Sequence, residues 1–288
     1  MLTFIVNPVA GNGYALKIEH LLQRRMAERG LECRFFHTNA PGHATELARR
    51  AAEGDNCTGV VSVGGDGTAY EVACGLMNTE IPMGLIPAGT GNDFIKTVNL
   101  PRKPLEALDF ILTHPARPVD AGGLNDRLFL NVCGTGFDVT VLDYAQAAKK
   151  YCRGILPYLV GLIRAILHYK PTHVRFTVDG HTEERDLLIC SVANGRVFGG
   201  GIQICPEATA DDGMLDLVVV EHKPRWKLPF LIPSLLMGRV LEFPFTTHVR
   251  CKQVEILSPN LRLNVDGEIL DLESARFNVL QGALQLYW

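Results

Sequence analysis

The chain has 288 residues, of which 47% are hydrophobic and 20% are charged, and its formal net charge is −3. This length supports one large domain or two modest ones, and the composition is that of a globular protein, which excludes a disordered or fibrous chain. Because the net charge is slightly negative, we expect no nucleic-acid partner and only local basic patches for anionic surfaces.

Strand-like and helix-like segments alternate as far as about residue 120. The strand-like runs are TFIVNP, ECRFFHT, GVVSVGGDGT and PMGLIPAGTGNDF, and the last two end in glycine turns. Helical spacing of apolar residues predicts helices over 15–29, 43–53, 68–77 and 104–113. This alternation predicts a layered α/β domain with a largely parallel sheet.

Beyond residue 120 the chain changes to longer strand-like runs, which are RLFLNVCG, HVRFTVDG, RDLLICSVAN, MLDLVVVEH, QVEILSP, LRLNVDGE and ARFNVLQGALQLYW. Their spacing and turn residues predict a mainly antiparallel β domain. One helix, over 153–169, is predicted to interrupt it, with apolar side chains at helical spacing.

The eight cysteines are isolated along the chain, with no CxxC pair and no zinc-finger spacing. Several lie in apolar runs, where a buried, reduced thiol is the expected state, so a reducing compartment is favoured. The segment MLTFIVNPVAG resembles a first strand more than a signal peptide, and no run reaches the roughly 20 apolar residues of a membrane-spanning helix. These features predict a cytoplasmic protein.

Three glycine-rich turns follow predicted strands of the first domain, at 7–13, 64–68 and 89–93. Ligands of open α/β sheets bind at the carboxyl ends of the strands, where backbone N–H groups in such turns hold anionic oxygens. Neither a Walker A pattern nor GxGxxG is present, and each turn alone could simply connect a strand to a helix. The run GGDG around Asp66 is more specific, because a carboxylate at a phosphate site indicates a bridging Mg²⁺ ion.

The order and spacing of several motifs connect the chain with a known family. They are NPVAGNG from Asn7, Thr38 after the second strand, VGGDGTAYEV from Val63, IPAGTGNDF from Ile86, VDAG from Val119, ANG from Ala193, GGG from Gly199, PEATADDGMLDL from Pro206 and NVDGE from Asn264. With this set the chain resembles the diacylglycerol kinase catalytic-domain family. In particular it resembles the bacterial soluble lipid kinases, which are similar to sphingosine and ceramide kinases and, more distantly, to NAD kinases.

The resemblance implies a two-domain architecture. An N-terminal layered α/β domain, like that of NAD kinases and phosphofructokinases, would be followed by an antiparallel β-sandwich. Residues 1–121 and a returning C-terminal strand, 277–288, would form the ATP-binding domain, and residues 122–276 would form the lipid-binding domain.

The resemblance also implies how the turns bind ATP and Mg²⁺. Asp66, Asp93 and Asp120 would hold, largely through water, the magnesium that bridges the phosphates. Phosphoryl transfer depends mostly on positioning and charge neutralisation, for which such a metal and backbone donors are sufficient. The residues that would surround ATP are Asn7, Thr38, Gly64, Gly65, Asp66, Gly67, Thr68, Ala69, Tyr70, Thr90, Asp93 and Asp120.

A lipid kinase also needs a group that accepts the proton of the lipid hydroxyl. The family pattern assigns this role to Glu268, with Asp266 beside it, in the turn after LRLNV; Asp66 is the third residue implied in catalysis. Without the resemblance, the DG pair at this position would indicate only a hairpin turn.

Relatives hold a structural magnesium in the segment that corresponds to 209–214. The ligands here would be the Asp212 side chain and the carbonyls of Thr209 and Met214, and oxygen ligands in a tight turn suit a hard cation. An acidic turn that binds nothing fits equally well. The chain departs from its relatives at Tyr70, where they carry a small polar residue or histidine, and this could change contacts with adenine or lipid.

A lipid substrate requires contact with a bilayer. The segments 153–169 and 223–239 combine apolar residues with lysine and arginine, as do segments that lie on anionic membranes. A core-facing helix with a solvated basic face would show the same pattern. Peripheral contact with membrane lipid is therefore one of two interpretations, and the sequence leaves formation of a homodimer open.

Three functions remain to be distinguished. They are an ATP-dependent lipid kinase with a phosphatidic-acid-type product, a NAD kinase, and a non-catalytic nucleotide- or lipid-binding protein. NAD kinases share the GGDG turn, whereas TGND, ANG, DDG and NVDGE favour the lipid kinases. Loss of Asp66 or Glu268 would mark a non-catalytic protein, and both are present. The sequence therefore favours a kinase that acts on diacylglycerol or a related lipid.

Overall fold

The computed structural model describes residues 1–148, 150–151 and 156–288. The chain forms two compact units. The first contains Met1–Ala121, Ala210–Asp212 and Leu280–Trp288, and the second contains Gly122–Thr209 and Gly213–Val279.

This division differs from the predicted domains in two short segments. Residues 277–279, which were predicted in the first domain, belong to the second unit, because Phe277 still pairs with Val254 in an antiparallel ladder. Residues 210–212 belong to the first unit, where the Ala210 carbonyl accepts a 2.7 Å hydrogen bond from the backbone N–H of Asp120.

The first unit alternates strands and helices around a parallel sheet. Its strands are β1 (Leu2–Val6), β2 (Cys33–His37), β3 (Gly59–Gly64), β4 (Met83–Pro87), most of β5 (Ala116–Leu124) and the last part of β15 (Glu268–Tyr287). Its helices are α1 (Tyr14–Glu28), α2 (His43–Glu53), α3 (Asp66–Leu76), α4 (Asp93–Thr97) and α5 (Pro104–Thr113). The parallel strands have the order β2-β1-β3-β4-β15.

Both faces of this sheet are covered. Leu2, Phe4 and Val6 of β1 form an apolar core with residues of α1 and α5. Strand alternation directs the fully buried Ile5 to the opposite face, and α2 and α3, which lie outside that core, pack against these strands. Strands that are covered on both faces are apolar throughout, which explains the continuous apolar runs in the sequence. The predicted α/β class is confirmed.

The second unit is mainly antiparallel, as predicted. Its strands are β6 (Arg127–Phe129), β7 (Val132–Gly136), β8 (Thr172–Val178), β9 (His181–Ala193), β10 (Val197–Phe198), β11 (Ile202–Gln203), β12 (Leu215–Glu221), β13 (Thr246–Cys251) and β14 (Gln253–Val265), followed by the first part of β15. Antiparallel pairing gives the order β13-β12-β9-β7-β14-β15, and β8 pairs with both β9 and β14. β12 is buried on both faces, since Leu217 lies in one apolar core and Val218 in another.

Three α-helices lie in the described part of the second unit: α6 (Phe137–Ala148), α7 (Leu156–His168) and α8 (Leu228–Leu236). α7 agrees with most of the predicted helix 153–169, whereas 153–155 lie outside the described residues. The expectation of a single helix was wrong. α6 was not predicted because it begins with FDVTV, in which β-branched residues lower helix propensity. It packs closely on α7: a Cβ atom on Gly161 of α7 would lie 2.5 Å from the Val141 carbonyl oxygen of α6.

Within the described residues, every helix is too short or too polar to cross a bilayer.

Candidate functional site

The glycine turns predicted to bind phosphate follow β1, β3 and β4, whose carboxyl ends meet at one edge of the parallel sheet. Two of the turns are in direct contact. The Gly64 carbonyl accepts backbone hydrogen bonds from Ala88 (2.8 Å) and Gly89 (3.1 Å). A Cβ atom on Gly89 would lie 2.3 Å from the Cα atom of Gly65. Glycine is required here because the two backbones meet.

Asp66 is the first residue of α3 and lies where these two turns meet. Its Oδ1 accepts hydrogen bonds from the backbone N–H groups of Asp93 (2.6 Å) and Phe94 (3.3 Å). Burial and the nearby charge of Asp93 nevertheless raise the pKa of Asp66 above its usual value. The backbone donors therefore compensate its negative charge only in part, which is typical of a functional carboxylate.

The turn after β4 leaves space for the Asp66 side chain. A Cβ atom on Gly91 would lie 2.7 Å from Asp66 Oδ2. The next residue, Asn92, has a left-handed backbone, with φ of 51°, and its side chain bonds Gly89 twice: Nδ2 donates to the carbonyl (2.8 Å) and Oδ1 accepts from the N–H (3.2 Å). Gly91 and Asn92 belong to the predicted phosphate-binding turn at 89–93, but neither was predicted individually among the residues around ATP.

Asp93 is buried beside Asp66 and forms an ion pair with Lys96, whose Nζ lies 2.9 Å from Asp93 Oδ1. Two carboxylates and one ammonium group leave a surplus of negative charge. This surplus, the raised pKa of Asp66 and the space opposite Gly91 fit a hard divalent cation such as Mg²⁺. Lys96 was missed because its spacing from Asp93 is that of an ordinary pair on a helix surface.

The turn after β1 is connected to α3 through Asn7. Its Nδ2 donates to Thr68 Oγ1 (3.1 Å), and its Oδ1 accepts from the Val9 N–H (3.2 Å). Thr38 follows β2, and its N–H donates to the Val6 carbonyl (2.9 Å). The structure thus brings Asn7 and Thr68 together and places Thr38 at the neighbouring strand end.

The other residues predicted to surround ATP lie in the same turns or on α3. Gly67 and Thr90 are exposed, Tyr70 is half-buried and Ala69 is buried. Glu71, at the next position, has a structural role. It accepts hydrogen bonds from the backbone N–H groups of Gly42 (2.9 Å) and Ala44 (3.0 Å) and so caps the N-terminus of α2.

Asp120 lies on β5 and is buried. Its Oδ1 accepts a 2.7 Å hydrogen bond from the Gly282 N–H on β15, and its own N–H donates to the Ala210 carbonyl. Asp120 therefore joins three segments of the first unit. Its share in magnesium binding stays a prediction.

The predicted proton acceptor follows a tight hairpin loop in the second unit. Val265 of β14 pairs with Glu268 of β15, which leaves Asp266 and Gly267 as a two-residue loop. Both loop residues have positive φ angles, 46° and 100°, as in a type I′ turn. Glu268 is exposed, directly after this loop.

Asp266 attaches the hairpin to the first residue of β7 and the two residues before it. Its two carboxylate oxygens accept hydrogen bonds from the backbone N–H groups of Leu130 (2.6 Å), Asn131 (2.9 Å) and Val132 (3.0 Å). Its own N–H donates to the Val132 carbonyl (3.1 Å). This geometry gives Asp266 a positioning role in the hairpin that carries Glu268, and its predicted part in catalysis stays a prediction.

A buried side-chain pair continues this network. Asn264 accepts a hydrogen bond from the Gly267 N–H (2.9 Å) and donates to Asp138 Oδ2 (3.2 Å). Burial raises the pKa of Asp138 to about 6, and among the described residues its Oδ1 has no hydrogen-bond partner. Asn264 lies within the NVDGE motif, whereas no sequence pattern marks Asp138.

The three predicted ligands of the structural metal lie in one turn before β12. Thr209 and Met214 are half-buried and Asp212 is exposed, and the turn includes Gly213 with a φ angle of 70°. Metal binding at this turn stays a prediction.

Two family models match the chain. Residues 1–124 match the diacylglycerol kinase catalytic domain. Residues 131–288 match the YegS C-terminal NAD kinase beta sandwich-like domain. The two models together cover most of both units.

Known proteins match the chain over nearly its full length. It is 31% identical over 292 residues to a diacylglycerol kinase of Mycobacterium tuberculosis (strain ATCC 25618 / H37Rv), a match that covers 99% of this chain and 94% of the relative. It is 30% identical over 271 residues to the diacylglycerol kinase of Bacillus subtilis (strain 168), and this match covers 92% of this chain and 88% of the relative. A crystal structure of a diacylglycerol kinase from Bacillus anthracis str. Sterne matches with a TM-score of 0.81 and 28% identity, over 100% of this chain and 96% of that one.

Proposed function

Because this chain belongs to the diacylglycerol kinase family of lipid kinases, we propose that it transfers a phosphoryl group from ATP to the hydroxyl group of diacylglycerol or a related lipid. The product is a lipid of the phosphatidic acid type. The observation that carries this proposal is the Asp66 carboxylate, held between two glycine turns with its charge only partly compensated. Phosphoryl transfer requires such an arrangement of backbone donors and a cation-binding carboxylate.

The first unit supplies the nucleotide end of the reaction. Backbone N–H groups in the turns at 64–68 and 89–93, with the N-terminus of α3, favour anionic phosphate oxygens. Bound Mg²⁺ would neutralise charge on those oxygens. Asp66, Asp93 and Asp120 are its proposed ligands, and Lys96 orients Asp93.

Glu268 is the proposed acceptor of the proton from the lipid hydroxyl. It follows an anchored type I′ loop, so its backbone is held in place while its side chain remains exposed. Asp266 supplies the anchor through three backbone donors, and Asn264 bonds Gly267 in the same loop.

The test of this function is transfer of label from ATP, with Mg²⁺, to diacylglycerol, phosphatidylglycerol or a sphingoid base in mixed micelles, with NAD as a further acceptor. We expect labelled phosphatidic acid from the wild type and a decrease in kcat of about 10²–10⁴-fold for Glu268→Gln. Glu273→Gln is the matched control, because Glu273 is exposed on the same strand. Label in NAD but in no lipid would identify a NAD kinase, and ATP binding without transfer would identify a non-catalytic protein.

The turn at 209–214 is the proposed site of a second, structural Mg²⁺, with Asp212 and the carbonyls of Thr209 and Met214 as ligands. Hard oxygen ligands in a glycine-containing turn support this assignment. In protein that carries Asp66→Asn, Mg²⁺ should still raise the melting temperature, and the rise should disappear when Asp212→Asn is added. A rise that persists in the double variant would exclude this site.

An apolar stripe on α7 is the proposed contact with the membrane. Leu156, Leu159, Ile163 and Leu167 lie at helical spacing with exposed fractions of 53%, 50%, 50% and 60%. The opposite face carries the small residue Gly161, which packs against α6. α7 therefore faces the protein with small residues and faces outward with large apolar ones beside the exposed Arg164, which supports contact with a membrane.

The segment around α8 extends this apolar surface. Arg225 donates hydrogen bonds to the carbonyls of Tyr169 (2.8 Å) and Leu167 (3.3 Å) and so attaches the segment to the end of α7. Trp226 and Phe230 are 68% and 75% exposed. Exposed basic residues accompany them, namely Arg164, Lys170 and Lys227. Apolar and aromatic side chains with basic neighbours suit the interface of an anionic bilayer.

Vesicle sedimentation tests this contact. The wild type should bind vesicles that contain phosphatidylglycerol more strongly than vesicles of phosphatidylcholine. The double variant Leu159→Ser, Ile163→Ser should lose most of this binding and retain activity on a short-chain, dispersed diacylglycerol. Leu21→Ser is the control, since Leu21 is 49% exposed but lies on α1 in the other unit. Equal binding by all three proteins would contradict the proposal.

A further inference from the structure

A cluster of three different side chains in the second unit has no part in the proposed phosphoryl transfer. Cys205 follows β11, Asp216 lies on β12 and His248 lies on β13. One possible ligand atom of each residue lies within 4.8 Å of the other two. The three residues are distant in sequence, with His248 32 residues from Asp216 and 43 from Cys205, so the spacing of cysteines alone could not reveal the cluster.

The imidazole of His248 is oriented with one nitrogen toward the centre of the cluster. Its Nε2 lies 2.6 Å from Asp216 Oδ1 and 3.9 Å from Cys205 Sγ. Its other nitrogen, Nδ1, faces Glu207 Oε2 at 3.8 Å. A histidine that binds a metal through one nitrogen usually has a carboxylate or carbonyl near the other, which sets the tautomer and the ring orientation. Glu207 lies on that side of the ring, although 3.8 Å is longer than a hydrogen bond.

The segment that carries Cys205 places its buried sulfur beside Asp216 and His248. Burial and the Asp216 charge raise the pKa of the free thiol, so the charge of a bound metal ion is what would hold this cysteine as a thiolate. The segment is itself held in place, because the Arg196 carbonyl accepts the Cys205 N–H (3.3 Å) and Arg196 Nε donates to the Ala208 carbonyl (2.9 Å).

Burial supports the presence of a cation at this point. Asp216 is 2% exposed and Cys205 is fully buried. Asp216 lies on β12 between Leu215 and Leu217, which face one apolar core, so its side chain points toward the other core with Val218. A carboxylate in such surroundings requires a partner of positive charge, which a bound metal ion would provide, with His248 as a neutral imidazole ligand.

We infer that Cys205 Sγ, Asp216 Oδ1 and His248 Nε2 form a binding site for one Zn²⁺ ion, with water as the fourth ligand. Thiolate, imidazole and carboxylate are the three ligand types of protein zinc sites, whereas Mg²⁺ takes oxygen ligands. The ion stabilises the second unit by joining β12, β13 and the segment after β11. The site is independent of the Mg²⁺ sites and of phosphoryl transfer.

Metal analysis and cobalt spectroscopy of the full chain test this inference. Protein purified without chelator should contain one Zn²⁺ per chain, and Cys205→Ala should lose it. Titration of the metal-free wild type with Co²⁺ should produce the charge-transfer absorption of a thiolate ligand and the intense visible bands of tetrahedral Co²⁺. The matched control is Cys190→Ala, which removes another buried cysteine of the same unit and should keep both signals.

Two results would overturn the site: absence of the thiolate absorption in the folded wild type, or its persistence in Cys205→Ala. If Cys205→Ala does not fold, the wild-type titration decides alone. Melting temperatures supply a second readout, because an ion that binds only the folded state stabilises it. Chelation should lower the melting temperature of the wild type; Mg²⁺ should restore only the part that comes from its own sites, and Zn²⁺ should be needed to restore the rest. Full restoration by Mg²⁺ would also contradict a zinc site.

Discussion

Asp66 and Asp266 are both held by backbone N–H groups of a neighbouring loop, yet the donors satisfy them to different degrees. Both oxygens of Asp266 accept hydrogen bonds, from three donors in a row. Asp66 also faces three backbone donors, at 92–94, of which Asp93 and Phe94 donate to Oδ1, while Oδ2 lies opposite Gly91; burial and the Asp93 charge nevertheless raise its pKa. A satisfied carboxylate holds a fold in place, whereas one with surplus charge is suited to bind a cation.

The largest effect should come from Asp66→Asn, which removes the surplus charge but keeps an oxygen that can accept the bonds from Asp93 and Phe94. We expect kcat/KM for phosphoryl transfer to fall by about 10²–10³-fold, the usual effect of losing one electrostatic group of a reaction site. The melting temperature without metal should remain equal or rise, because the repulsion with Asp93 disappears. Steady-state kinetics and thermal unfolding measure the two effects.

Asp55→Asn is the control for this experiment, because Asp55 is exposed in the same unit. It should leave both quantities unchanged. An Asp66→Asn protein that is unfolded, or as active as the wild type, would contradict the distinction between the two aspartates.

Asp138→Asn extends the comparison to a carboxylate that is buried and accepts a side-chain hydrogen bond from Asn264. Burial raises its pKa from 3.8 to about 6 in the folded state. At low pH the Asp138 carboxyl is protonated in both the folded and the unfolded protein, and its burial has no electrostatic cost. As the pH rises, the carboxyl of the unfolded protein loses its proton first. The free energy of unfolding therefore falls until the pH exceeds the pKa of Asp138 in the folded protein. Near neutral pH, burial of the ionised Asp138 lowers the free energy of unfolding by about 3 kcal/mol, a loss that a neutral asparagine avoids.

Urea unfolding at a series of pH values measures this effect. The free energy of unfolding of Asp138→Asn, relative to the wild type, should increase from about pH 4 to about pH 7 and then remain constant. Asn at this position can still accept the bond from Asn264. A relative stability that does not change with pH would show that Asp138 has no raised pKa.

Asp266→Asn tests the carboxylate whose two oxygens both accept backbone hydrogen bonds. The amide replaces one acceptor oxygen with a donor, so at least one of the three N–H groups at 130–132 loses its partner. We expect the free energy of unfolding to fall by about 1–3 kcal/mol. Asp271→Asn, on the exposed side of the same hairpin, should change it by less than about 1 kcal/mol, because its pair with Arg262 is a surface salt bridge. Equal losses of free energy of unfolding in the two variants would show that Asp266 does not anchor the hairpin.

The smallest effects separate glycines that are needed by the fold from those that are not. Gly89→Ala should lower the free energy of unfolding by about 1–3 kcal/mol, because its Cβ atom would overlap with Gly65. Gly67→Ala meets no atom within 4 Å and lies in α3, so it should raise stability by about 0.4–1 kcal/mol. Thermal unfolding compares them, and a loss of activity in a stabilised Gly67→Ala protein would indicate close approach of a ligand at this glycine.

Much of the first unit could be predicted from the sequence because its signals are local. α2 was predicted to the residue between Gly42 and Gly54, and α5 begins at Pro104, a residue favoured in the first turn of a helix. The glycine turns and the DG hairpin also follow from residues that are adjacent in the chain. The motifs around them were sufficient to indicate the family.

Contacts between distant segments were decided only by the tertiary structure. Asp266 binds Leu130, 136 residues earlier, and no local pattern records which backbone donors a carboxylate will meet. α6 forms although its sequence favours helix weakly, because packing against α7 supplies the missing stabilisation. The sequence by itself determined the strands, the turns and the residue types of the site. Folding determined which carboxylates are satisfied and which retain charge, because this depends on donors that only the folded chain brings together.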